Sequence, residues 1–290
     1  STQSRSSAAS DVYKRQSLFK RLVAEVLTPY GSSFLVDPEF GLAAANKNAE
    51  DSGLILSYEQ TGYDKTQPGR LPRLIENQSV RRLREAGADA VKFLLYYDVD
   101  ESDEINDKKQ AVIERVGTEC QAEEMPFLLE ILTYDDTIGD EKGADYAKVR
   151  LHKVNEAMRI FSEPRFQVDT LKVEIPVNMN FVEGFGSEAV MTQAEAAEAF
   201  QQQAEATDLP YIYLSGGVSA QLFMDSLQFA AAHGSQFNGI LCGRATWKGA
   251  TKALITQGEA AAKAWLAKEG LDNLNSLNQV NQQTATPIQN

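Results

Sequence analysis

Lys172 stands in an unexpected place. Residues 170–177 read Thr, Leu, Lys, Val, Glu, Ile, Pro, Val, which suits a parallel strand covered on both faces, and such strands are nearly continuous apolar sequence. An unpaired ammonium there is costly. Two explanations are open. Either a nearby carboxylate pairs with it, or the site needs a desolvated amine, whose lowered pKa lets it attack a carbonyl and form a Schiff base.

Three further ionisable residues share this setting. Lys92 lies in the apolar run 90–97, Glu130 in FLLEIL (127–132) and Glu59 at the end of LILSYE (54–59). Side chains alternate faces along a strand. In 170–177 the alternation puts Leu171, Val173 and Ile175 on one face and Lys172 with Glu174 on the other. Each residue alone has a plain explanation, as an ion pair or a strand-end carboxylate meeting solvent. Together they suggest proton chemistry: neighbouring lysines depress each other's pKa, and carboxylates can move the protons that a Schiff-base mechanism requires.

A second kind of chemistry is suggested by LSGGVS (214–219) and CGR (242–244). Glycines allow backbone N–H groups to approach an anion, Ser215 offers a hydroxyl, and Arg244 offers a fork of donors. Ser215, Gly216, Gly217, Gly243 and Arg244 are therefore candidates for holding a phosphate. Two ordinary strand-end turns are the alternative.

These residues need a scaffold that points strand ends at one centre. Strands are expected at 32–36, 54–59, 90–97, 127–132, 170–177, 211–214 and 239–242. Helices are expected at 17–29, 79–86, 104–118, 147–162, 192–206, 219–233 and 249–268. Alternating strands and helices imply parallel βαβ units, and this number fits a (β/α)₈ TIM barrel, an α/β fold. Sites in such barrels lie at strand C-terminal ends, with phosphate often bound after the last two strands. The chain opens on a helix, so the barrel is expected to lack its first strand. The expected organisation is a foreign or disordered leader at 1–16, a (β/α)₈ barrel body lacking its first strand at 17–272 and a polar, peripheral tail at 273–290.

Composition narrows the function. The 290 residues carry a formal charge of −13, which argues against nucleic acid and anionic membrane surfaces as partners. The leader, STQSRSSAASDVYKRQ, is serine-rich and has no apolar core of a signal peptide. Two cysteines, Cys120 and Cys242, make no disulfide framework and suggest a reducing cytoplasm. Only two histidines occur, His152 and His233, so a histidine-rich zinc site or a Ser-His-Asp triad is disfavoured.

The blocks AVKFLLYYD (90–98), LEILTYD (129–135), LKVEIPVN (171–178), YIYLSGGVS (211–219) and NGILCGRATW (238–247) together resemble the bacterial tagatose 1,6-diphosphate aldolase family. SYEQTGYD (57–64) and LVDPEFG (35–41) add to the resemblance, which spans residues 17–286. A more distant likeness to class I fructose-bisphosphate aldolases lies in SGGVS, GRA and the strand lysine. The resemblance implies a metal-independent, cofactor-free aldolase that splits D-tagatose 1,6-bisphosphate into dihydroxyacetone phosphate and glyceraldehyde 3-phosphate in lactose or galactose breakdown. It further implies Lys172 as the Schiff-base lysine, Glu130 in proton transfer at the imine and Lys92 as a second active-site lysine near the substrate hydroxyls. Glu59 would contact substrate or pair with a lysine. Ser215, Gly216, Gly217, Gly243 and Arg244 would cradle one phosphate. Asp37 would lie near the site without an assigned role.

The family also opens with a strand carrying an Ala-Phe-Asp-Gln-Arg-Gly-like stretch, whose aspartate takes part in cleavage, and this chain has nothing like it. Unpaired edges on the flanking strands would then invite association into a homo-oligomer. Fructose 1,6-bisphosphate as main substrate is one alternative. A catalytically silent sugar-phosphate sensor binding through Ser215 and Arg244 is another.

Overall fold

The computed structural model describes residues 2–288, so the first residue of the leader and the last two of the tail lie outside the described residues. Seven strands form one parallel sheet in sequential order. They are β1 (Ser33–Val36), β2 (Gly53–Ser57), β3 (Ala90–Tyr97), β4 (Phe127–Thr133), β5 (Thr170–Val173), β6 (Tyr211–Leu214) and β7 (Gly239–Leu241). All seven expected strands are present, because each is a short β-branched or aromatic run closed by turn residues.

Among the described residues ten α-helices accompany them. α1 (Thr2–Leu27) precedes β1, α2 (Pro38–Ala45) follows it, and α3 (Val80–Glu85) precedes β3. α4 (Asp103–Ala122), α5 (Ala144–Phe161), α6 (Gln193–Ala204) and α7 (Ala220–Ala232) alternate with the later strands, while α8 (Arg244–Gln257), α9 (Glu259–Trp265) and α10 (Leu271–Thr284) follow β7. Side-chain oxygens start several of them: Asp37 caps α2, Ser79 caps α3, Ser219 caps α7, and Thr192 with Glu195 closes a capping box on α6.

The main core lies between the sheet and helices α3 to α7, with Phe93, Leu95, Leu129, Leu171, Tyr213, Phe161 and Phe200 buried in it. β1 and β7 stand at the two ends of the strand order, yet the sheet curls enough for Ser33, Phe34 and Leu35 to line one cavity with Leu241, Cys242 and Gly243. A second core covers this seam. Leu22, Val23 and Leu27 of α1 pack with Ala250 of α8, Ala262 of α9 and Leu266, with Phe34 and Trp247 at its border.

Several elements differ from expectation. α1 runs back through the leader to Thr2, since residues 2–27 contain neither Gly nor Pro and nothing in them breaks a helix. The expected helix 249–268 is two helices that meet at Gly258, whose φ of 91° only glycine adopts readily. The polar tail after 270 forms α10, with Leu277 buried and Asn278 Nδ2 donating to Tyr30 O. β5 ends at Val173 instead of 177, with Pro176 unable to donate to a ladder just beyond. His233 caps α7 and does not lie within it. Among the described residues no helix is long and apolar enough to cross a membrane.

Candidate active site

β2 to β5 bring four charged side chains into one buried row. Parallel pairing sets Ser57 against Lys92 and Glu130 against Lys172. Period-two alternation then turns Lys92, Glu130 and Lys172 to the same face. Glu59 lies two residues past β2, where an isolated antiparallel bridge to Leu74 holds its backbone.

The row alternates in sign. Lys92 Nζ lies 2.5 Å from Glu59 Oε1 and 2.9 Å from Glu130 Oε2. Lys172 Nζ lies 2.8 Å from Glu130 Oε1. All four residues are less than a tenth exposed or at that level. The two explanations open for Lys172 are therefore not exclusive, because its buried charge has a partner and the partner is shared with another lysine.

Burial and neighbours pull these groups in opposite directions. For Lys172 burial dominates and, with Lys92 beside it, brings the amine below the ordinary lysine value despite the opposing carboxylate of Glu130. For Lys92 burial is outweighed by two carboxylates, which hold it above that value and therefore charged. Burial alone would raise Glu130, but the two lysines outweigh it and keep Glu130 below the usual carboxylate range. Glu59 goes the other way: burial exceeds the help from Lys92 and raises it. Its Oε2 is buried and has no protein partner. The arrangement is one depressed amine beside an ionised proton acceptor, with a permanent cation behind it.

The phosphate candidates lie at the ends of β6 and β7. Gly216 and Gly217 have φ of 59° and 80°, the left-handed region that lets a tight turn expose backbone N–H groups. Ser215, Gly216 and Gly217 border a cavity of 260 Å³, which Lys142, Arg150 and Asn178 also line. Arg244 opens α8 immediately after Gly243. Its Nη2 would stand 3.5 Å from a Cβ placed on Gly217, so the two loops meet. Gly243 faces the cavity between β1 and β7, whose wall includes Lys172. Gly217 and Arg244 together line a further cavity of 380 Å³.

Some expectations change. Glu174 does not continue the row with Lys172. Because β5 has ended, its carboxylate turns to α5 and β4, accepting from Thr133 N and Thr133 Oγ1 at 2.9 and 2.6 Å and pairing with Arg150 at 2.9 Å. Asp37 caps α2 through Phe40 N and pairs with Lys20. Sequence reasoning missed Arg150, whose Nε donates to Ile175 O. It also missed Lys153, buried on α5 and paired with Asp98, Asp100 and Asp135. Neither has a local spacing signal, because the partners come from distant loops. Both cysteines are free. Among the described residues no group of three or more His, Cys, Asp or Glu is placed to hold a metal ion.

Comparison with known proteins agrees with this geometry. A family model described as DeoC/LacD family aldolase matches residues 4–249. The chain is 57% identical over 269 residues to tagatose 1,6-diphosphate aldolase 2 of Streptococcus pyogenes serotype M1, covering 92% of this chain and 82% of that one. It is 59% identical over 272 residues to tagatose 1,6-diphosphate aldolase of Staphylococcus epidermidis, covering 93% and 84%. In fold it is similar to fructose-bisphosphate aldolase from Plasmodium falciparum, with TM-score 0.66 at 15% identity over 95% of this chain and 83% of that one. An archaeal fructose 1,6-bisphosphate aldolase gives 0.55 at 14% identity, over 92% and 99%. The chain belongs to the DeoC/LacD family of aldolases.

Proposed function

We propose that this protein is a Schiff-base aldolase that splits D-tagatose 1,6-bisphosphate into dihydroxyacetone phosphate and glyceraldehyde 3-phosphate, in the cytoplasmic breakdown of lactose or galactose. The observation that carries the reading is the buried row Glu59–Lys92–Glu130–Lys172 with its depressed terminal amine. Relatives named for this reaction support the substrate.

In this reading the neutral amine of Lys172 attacks the C2 carbonyl, and the resulting carbinolamine loses water to give an imine. Glu130, ionised and 2.8 Å away, takes the proton that the ammonium must release and returns one to the leaving hydroxyl. The C4 hydroxyl then gives its proton to Glu130, ionised again, and cleavage of the C3–C4 bond moves its electrons into the imine as an enamine and frees the aldehyde. Protonation at C3 and hydrolysis then release the ketone. Lys92, held charged, faces the substrate hydroxyls as a fixed cation. Glu59, with one oxygen unpartnered, is placed against those hydroxyls. Ser215, Gly216, Gly217, Gly243 and Arg244 take one phosphate through backbone N–H groups and a guanidinium fork.

The test is product formation by the purified chain from tagatose 1,6-bisphosphate and, separately, from fructose 1,6-bisphosphate. Release of both triose phosphates, insensitive to a metal chelator, is expected. Binding of either sugar without product would support a silent sensor instead.

A further inference from the structure

Resting on the reading of Glu59, Lys92, Glu130 and Lys172 as the catalytic row, we infer that Arg70 is the positioning residue for Glu59, which it holds against Lys92 by pinning the loop 58–79 to the loop 134–143. Glu59 needs such help. It lies past the end of β2, and its backbone is framed by the return of its own loop. Gln60 N donates to Arg73 O at 2.8 Å, Ile75 N donates to Tyr58 O at 3.0 Å, and Glu59 bridges Leu74. Between these ends the chain runs over the surface, with residues 64–68 exposed.

Arg70 ties that excursion down. Its Nη2 lies 2.9 Å from Asp136 Oδ1 and its Nη1 2.8 Å from Glu141 Oε1, so one planar fork spans two carboxylates of the facing loop. Its guanidinium carbon stands 4.2 Å from the ring centre of Tyr134, 5.3 Å from that of Tyr63 and 6.0 Å from that of Tyr96. Tyr96 is four residues beyond Lys92 on β3 and shares its face, so the clamp is built on the wall that carries the row. Arg70 has φ of 49°, a left-handed backbone that persists only where the surroundings over-determine it. Gly69 beside it packs on α4 so closely that a Cβ there would come within 2.5 Å of Ile105 Cγ2.

The test is a double-mutant cycle on kcat for tagatose 1,6-bisphosphate, with urea midpoints measured alongside. Arg70→Met is expected to lower kcat about ten- to hundredfold, the scale of a small misplacement at the reacting groups. Arg70→Lys should recover little of it, since an ammonium cannot bridge both carboxylates. In the Glu59→Gln background Arg70→Met should cost no more than about twofold, because an effect routed through Glu59 has no carboxylate left to misplace. Amide exchange at Gln60 and Ile75 should quicken in Arg70→Met while that of β4 stays as in the wild type. Asp136→Asn combined with Glu141→Gln frees Arg70 from the other side, and this variant should reproduce the loss even if Arg70→Met does not fold. Full kcat in these variants, or an equal fold-loss with and without the Glu59 carboxylate, would overturn the role given to Arg70. The row would then still stand, as labelling of wild-type Lys172 by dihydroxyacetone phosphate and borohydride would show. A folded wild type with neither label nor cleavage would overturn both.

Discussion

Lys172 and Lys92 share one carboxylate: Glu130 meets the first at 2.8 Å through Oε1 and the second at 2.9 Å through Oε2. The two lysines are nevertheless held in opposite states. Lys92 has a second carboxylate, Glu59, and is driven above the ordinary lysine value, whereas Lys172 has only its share of Glu130 and falls below it. A difference in partner number, not in residue type, separates a permanent cation from a nucleophile.

The rate of imine formation should therefore rise with pH through an ionisation below 10.5, the ordinary lysine value. Lys92→Met removes a like charge and leaves Glu130 to Lys172 alone, so both effects move this ionisation up. Glu130→Gln removes the stabilising anion and moves it down. Initial rates of borohydride-trapped adduct against pH would show the two opposite shifts.

Stability should carry the same signature. Because the folded state holds Lys172 below its unfolded value, the unfolded chain binds more protons between the two values. This group therefore makes the fold more stable as pH rises through that interval. Urea midpoints of the wild type and Lys172→Met should diverge across that pH range and run parallel well below it.

Lys92→Met also leaves two buried carboxylates without the cation between them. A loss of about 3–5 kcal/mol is expected, as for a buried pair stripped of one partner. Adding Glu59→Gln should restore part of it, because a neutral amide at that position no longer needs the cation. Equilibrium urea unfolding of the single and double variants measures both.

Arg244→Met should weaken phosphate recognition selectively, raising KM about ten- to hundredfold with a smaller change in kcat, as one charge-assisted contact is lost. Gly217→Ala, forced to keep a φ of 80°, should cost about 1–2 kcal/mol and displace the same turn. Steady-state kinetics with a bisphosphate and with an unphosphorylated ketose separates these effects, since the latter should not sense Arg244.

Much of this was legible in the chain because its parallel strands are compact apolar runs, and any charge inside one stands out. Lys92, Glu130 and Lys172 were visible for that reason, and strand alternation was enough to set them on one face. Glu174 misled, because alternation holds only while the strand continues and β5 ends one residue earlier. Arg150 and Lys153 were invisible: each sits on α5 among ordinary helical residues, and only folding brings Glu174 to one and Asp98, Asp100 and Asp135 to the other. The helical state of residues 271–284 was hidden by a polar composition, with Leu277 the one fully buried anchor.

The central claim is that Lys172 forms the imine. The most direct measurement is peptide mapping of the protein after incubation with dihydroxyacetone phosphate and borohydride, alongside Lys172→Met. The account predicts one reduced adduct, on Lys172, and none in the variant. An adduct on Lys92 or elsewhere, or no adduct on folded protein that still cleaves the bisphosphate, would contradict it.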